Sequence, residues 1–167
     1  MSYGRAVLIE FGLLLLKIAV VAALAVLAFT FLFAGVRCED KDMKPAVQDG
    51  DLAFAYRMDR EYAADDLCVL VFEGKKQVRR VVATAGDVVD INEDGLYING
   101  AKQLEPVRGV ETVRYETAVE FPIRVGQGQV FVLGDARDNA TDSRVYGLVE
   151  VEDTLGKVMM LIRRRQF

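Results

Sequence analysis

The sequence predicts an all-β domain of many short strands behind a single N-terminal transmembrane helix. Three observations carry that reading. Ile18 to Val36 holds no charged residue, and Thr30 is its one polar member. After residue 40 the apolar residues come in short β-branched or aromatic runs, punctuated by Asp-Gly, Glu-Gly and Asn-Gly pairs. No segment there keeps a helical period beyond about two turns.

At 1.5 Å per residue the uncharged run spans about 28 Å, close to the roughly 30 Å hydrocarbon core of a bilayer. Extending it back to Phe11 takes in Lys17, whose stem can snorkel to the headgroups. A cleaved secretory signal is the competing reading. Such apolar regions run only about 7–15 residues, and Ala34-Gly35-Val36 leads straight into Arg37 without a small-x-small exit. The expected organisation is a cytoplasmic N-terminus over 1–10, a membrane anchor over 11–36 and an extracytoplasmic domain over 37–167. Charge alone leaves the orientation open, because Arg5 and Lys17 on one side face Arg37 and Lys41 on the other.

Strands are expected at 52–56, 67–72, 78–84, 88–91 and 96–98, bounded by Asp49-Gly50, Glu73-Gly74, Asp94-Gly95 and Asn99-Gly100. Asp94-Gly95 reads as a hairpin turn that needs positive φ. Further strands are expected at 129–133 and 154–162, with a short helix or 3₁₀ turn within 139–146 capped by Asn139 or Thr141. Residues 101–128 carry little pattern and read as an insertion or long hairpin.

A net charge of −4 argues against a nucleic-acid partner. Arg163-Arg164-Arg165 reads as a solvated tail or as a contact for anionic membrane lipid. Cys38 and Cys68 are compatible with a disulfide outside the cell, although Cys68 lies in an apolar run suited to a core. With no histidine and no Cys-x-x-Cys, neither a metal nor another cofactor is expected.

Three stretches carry a resemblance. Gly134-Asp135-Ala136-Arg137-Asp138-Asn139-Ala140-Thr141-Asp142-Ser143-Arg144-Val145-Tyr146-Gly147 resembles the box GDN-x-x-x-S-x-DSR-x-x-G of the type I signal peptidases (family S26). Upstream and in the same order, residues 42–51 (DMKPAVQDGD) resemble that family's nucleophile segment. Residues 79–87 (RRVVATAGD) resemble its KRVVGLPGD segment. The resemblance implies a signal peptidase-like β domain, mostly antiparallel, on the outer face of the cell membrane. Gly134, Asp135, Asp142, Ser143, Arg144 and Gly147 would be structural, as would Gly86 and Asp87. Met43 and Pro45 would shape a peptide groove. Ala46, Ala83 and Ala85 depart from the threonine, glycine and proline of the pattern.

The chemical positions depart further. Where the family has its serine nucleophile this chain has Asp42, where it has its lysine base this chain has Arg79, and the serine that orients the lysine is Ala140. Serine–lysine hydrolysis needs a hydroxyl and a neutral amine to take its proton. A carboxylate is a poor nucleophile toward an amide, and a guanidinium stays protonated across the biological range. The only serines are Ser2, ahead of the apolar run, and Ser143. A Cys38–Lys41 site is a minor alternative. An Asp42–Asp142 pair sharing a proton would be suppressed by Arg79.

Asp42 and Arg79 are instead expected to form a salt bridge. The resemblance extends to catalytically degenerate signal peptidase-like proteins that assist sortase-dependent pilus assembly in Gram-positive bacteria. It implies an accessory factor or chaperone, a pseudoenzyme with pilin and sortase as partners. An active signal peptidase with rearranged catalytic residues is the alternative.

Overall fold

Uninterrupted apolar residues without a proline favour a helix, and the computed structural model, which describes residues 3–104, 110–117 and 119–164, forms α1 over Tyr3–Leu32. Val7–Leu32 is long and apolar enough to cross a membrane. The apolar run outlasts this helix. Phe33–Arg37 is a strand, β1, in which Ala34 and Val36 alternate into the core of the following unit. The anchor expected to reach residue 36 therefore ends as helix at Leu32. By contacts the chain divides into Met1–Phe33 and Ala34–Phe167.

In the second unit, β2 (Leu52–Tyr56), β3 (Leu67–Phe72), β4 (Lys75–Ala83), β9 (Gln129–Leu133), β10 (Val149–Glu150) and β11 (Thr154–Ile162) join β1 in one sheet. Its order is β1-β2-β11-β3-β4-β9-β10. β5 (Val88–Asn92), β6 (Gly95–Ile98), β7 (Ala101–Lys102) and β8 (Ile123–Arg124) make a second sheet, ordered β7-β6-β5-β8. The β2–β11, β11–β3, β3–β4, β4–β9 and β9–β10 pairs are antiparallel, as are those of the second sheet.

The apolar runs in the middle of the large sheet are unbroken because both faces are buried. In β9, Val130 and Val132 pack on one side with Cys68, Leu70 and Val81, while Phe131 and Leu133 pack on the other with the second sheet. Period-2 geometry thus sends alternate residues of one strand into two cores.

Turn residues set the registers. Glu73 and Gly74 both have positive φ, which lets Lys75 pair with Phe72 and starts β4 three residues before the expected Val78. Gly95, at φ 116°, opens β6 so that Asn92 pairs with Gly95. Residues 101–128, expected as an insertion or hairpin, supply β7 and β8 as the two edges of the second sheet; residues 105–109 and 118 lie outside the described residues. The short helix is α2 (Ser143–Tyr146), and its cap is Asp142, not Asn139 or Thr141.

Candidate functional site

The segment around Asp42 is sewn to the 134–147 box by backbone. The Ala136 N–H donates to the Asp42 carbonyl at 2.8 Å, and the Thr141 N–H donates to Asp42 Oδ2 at 3.0 Å. Gly134 is what allows this closeness: a Cβ there would lie 2.4 Å from Ala140 Cβ and 2.6 Å from the Asp42 carbonyl oxygen. Positions 42 and 140 thereby meet over one glycine.

Arg79 enters the same junction from β4, opposite Cys68 of β3. Its side chain is fully buried, and its donors are directed by four acceptors. Nη2 donates to Asp42 Oδ2 at 2.5 Å and Nη1 to Asp40 Oδ2 at 3.1 Å. Nε donates to the Thr141 carbonyl at 2.9 Å, and Nη1 also to the Val78 carbonyl at 2.6 Å. The two carboxylates keep 19% (Asp42) and 33% (Asp40) of their side-chain surface exposed. Burial pushes the Asp42 carboxyl above its usual range, against the Thr141 N–H and Arg79, which pull it down; Asp40 and Asp142 add to the rise.

Asp40 is a member of this cluster that the motif comparison did not supply. No motif signals it: a local turn, in which the Asp42 N–H donates to Asp40 Oδ1 at 3.2 Å, sets the two carboxylates side by side. Thr141 is the second such residue, engaged through both its N–H and its carbonyl.

The rest of the box forms a separate knot. Arg144 grips Asp142 through two bonds, Nε to Oδ1 at 2.9 Å and Nη2 to Oδ2 at 2.8 Å, and both side chains are sealed from solvent. Asp142 also accepts the Gly134 N–H at 3.0 Å and the Arg144 N–H at 3.1 Å, which caps α2. Arg144 Nη1 donates to the Arg137 carbonyl at 2.6 Å, and the guanidinium lies 4.0 Å from the Tyr115 ring centre. Ser143 Oγ is buried and accepts the Val132 N–H at 3.0 Å. Asp135 is held by Arg80 through two 2.7 Å bonds, and Gly147 closes α2 at φ 79°.

Two expected groove residues are not alike. Met43 is 1% exposed and packs in the core with Ala34, Val36 and Val47, so it braces the segment from behind. The reason is local: the turn that joins the Val47 N–H to the Met43 carbonyl rotates this side chain inward. Pro45 is exposed. The cleft that does adjoin Asp42 has a volume of about 660 Å³. Its walls include Arg37 of β1, Asp40, Asp42 and Thr141, together with Lys75 and Gln77 of β4.

The remaining nucleophile candidates are poorly placed. Cys38 and Cys68 are free thiols, both buried. Burial, with Asp40 beside it, pushes the Cys38 thiol up to about 11, and burial pushes Cys68 up to about 12. A thiol held protonated at neutral pH is a weak nucleophile. Chemically, the junction can bind and orient charge.

Residues 10–162 match the family described as signal peptidase, peptidase S26. Signal peptidase I of Bacillus licheniformis is 32% identical over 151 residues, covering 83% of this chain and 81% of that protein. Signal peptidase I of Bacillus amyloliquefaciens is 34% identical over 137 residues, covering 76% and 74%. Signal peptidase I T of Bacillus subtilis (strain 168) is 32% identical over 151 residues, covering 83% and 78%. The motif order, the antiparallel sheets behind an apolar helix and these matches agree: the chain belongs to the signal peptidase S26 family.

Proposed function

We propose that this signal peptidase I-like protein does not cut peptide bonds and instead holds an extended protein segment, as an accessory factor or chaperone for pilin in sortase-dependent pilus assembly. The supporting observation is the buried Arg79 guanidinium, directed at Asp42, Asp40 and two backbone carbonyls. In the family's pattern that position carries the amine that a solvent-poor site keeps neutral, so that it can take the nucleophile's proton. An arginine bound by carboxylates offers no such base.

The cleft suits a retained binding role. Its walls carry both signs of charge, and β1 stands at the edge of the large sheet, where strand addition is available. Charged walls favour a polar extended segment over a run of small apolar residues. In this reading the N-terminus is cytoplasmic, α1 crosses the cell membrane once, and the sheets lie outside.

A second reading, an active peptidase using other groups, is favoured by the three relatives described above, each a signal peptidase I. Detergent-solubilised full-length protein incubated with a preprotein separates the two. No cleavage is expected, and a product at the usual processing point overturns the proposal. Photocrosslinking from Lys75 in pilus-forming cells is expected to capture pilin. Capture of some other protein would move the assignment to a different partner.

A further inference from the structure

A second cleft, of about 440 Å³, shares Arg37 with the cleft beside Asp42 and is otherwise lined by different residues. Among the described residues it is lined by Arg37, Gly50, Leu52, Ile162, Arg163 and Arg164, three arginines and no carboxylate side chain. Arg37 ends β1, whereas Arg163 and Arg164 follow β11, so two distant parts of the chain converge here. Among the described residues, none of the three arginines takes part in an ion pair. In a chain of net charge −4, an uncompensated cluster of this kind calls for an anion.

The cluster is built rather than frayed. The Arg164 N–H donates to Asp51 Oδ1 at 3.0 Å, and the other oxygen of that buried carboxylate takes the Gln48 N–H at 2.9 Å. Asp51 thus spends its charge on backbone donors and leaves the guanidinium groups unneutralised. Gly50, at φ 90°, leaves room for the Arg164 stem: a Cβ there would approach Arg164 Cδ to 3.2 Å.

Apolar groups sit beside the charge. Leu52 and Ile162 are partners in the antiparallel register, yet they are 40% and 47% exposed. Met160, on the same side of β11, is also exposed. Exposed aliphatic side chains rimmed by arginine match the boundary between acyl chains and phosphates. Moreover, Arg37 follows Leu32, the last residue of the apolar helix, by five residues, a stretch that spans at most about 18 Å.

We infer that this cleft is a docking site for the headgroup of an anionic phospholipid, with Arg37, Arg163 and Arg164 on the phosphate and Leu52 and Ile162 against the acyl boundary. A guanidinium fork suits a phosphate because it donates two parallel bonds.

The chain has no tryptophan, so Leu52→Trp gives the full-length protein a single indole reporter. The protein is placed in nanodiscs of phosphatidylcholine, with or without phosphatidylglycerol, whose acyl chains are brominated. Quenching is expected to be strong only with phosphatidylglycerol. Each arginine replaced, as in Arg163→Gln and Arg164→Gln, should lower the docked-to-undocked ratio about fivefold. Arg163→Lys with Arg164→Lys keeps the charge and should keep most of the effect.

Equal quenching in the two discs overturns the inference, whatever the arginine variants do. Inorganic phosphate in phosphatidylcholine discs is expected to change the emission no more than chloride at equal ionic strength. A saturable response to phosphate there would make this a free-anion site and overturn the lipid assignment. Ile162→Trp repeats the measurement should Leu52→Trp fold poorly.

Discussion

Arg79 and Arg144 are the two largest fully buried side chains among the described residues, and each is held by aspartate, yet they solve different problems. Arg144 meets Asp142 with both side chains sealed, and the pair also fastens Gly134, the cap of α2 and the Arg137 carbonyl. Arg79 meets Asp42 and Asp40, whose outer sides still reach solvent at the cleft. The first cluster keeps the residues of the family pattern and the second replaces them. Fold chemistry and reaction chemistry are thus separable here, although Gly134 touches both.

The comparison breaks first at Asp142. Asp142→Ala leaves a sealed guanidinium without its counterion and strips the Gly134 N–H of its acceptor, which should cost about 3–5 kcal/mol. Urea unfolding of the full-length protein in detergent measures it. An unchanged midpoint would reduce the knot to decoration.

Arg79→Ala should cost less, about 1–3 kcal/mol, because water can reach the two carboxylates it abandons. The pH dependence gives its signature. Asp42 is raised in the folded parent, so the stability it contributes is complete below the ordinary aspartate value of about 4 and is lost as pH rises through the raised one. Removing Arg79 raises it further. The variant should therefore recover part of its deficit on acidification from pH 7 to 5, and a deficit constant across that range would exclude the pairing as its cause.

Much of this was readable beforehand, and the exceptions have physical reasons. The strands at 52–56, 67–72 and 129–133 announced themselves by β-branched runs between glycine turns. The Asp142–Arg144 pair followed from the spacing of the box. The Asp42–Arg79 contact followed from two complementary substitutions at one junction. β1 was hidden because an apolar run looks the same whether it is helix in lipid or alternating strand against a core. Met43 was expected at the groove because nothing in its type says which way a turn will rotate it. Asp40 carried no motif, and only the fold brings it to Arg79.

Asp40 sharpens the comparison through activity. Restoring the family pattern by Asp42→Ser, Arg79→Lys and Ala140→Ser together should still give little cleavage. A lysine at 79 would hold its ammonium near Asp40, and a neighbouring carboxylate favours the protonated amine. Adding Asp40→Asn should raise the rate on a preprotein roughly tenfold for each unit by which the amine pKa falls. Asp42→Ser alone should give none. Equal rates with and without Asp40→Asn would remove Asp40 from the account.

The smallest effect is expected at Asp87, in the one retained turn that lies in neither cluster. Its Oδ2 accepts the Thr84 N–H at 2.9 Å and its Oδ1 accepts Asn99 Nδ2 at 2.8 Å, tying the β4–β5 turn to the end of β6. The Thr84 N–H, then Asn99, hold this carboxyl below the usual range. A lowered folded value favours the ionised form in the folded state. Its contribution is therefore complete above about pH 4 and is lost as pH falls through the lowered value. The turn is well hydrated, so the whole effect should be about 1 kcal/mol or less. Asp87→Asn should lie below the parent in urea midpoint at pH 7 and converge with it near pH 2. Parallel curves would mean that the turn is held by backbone geometry, with Gly86 at φ 98° and its N–H on the Val125 carbonyl, and that the carboxylate adds nothing.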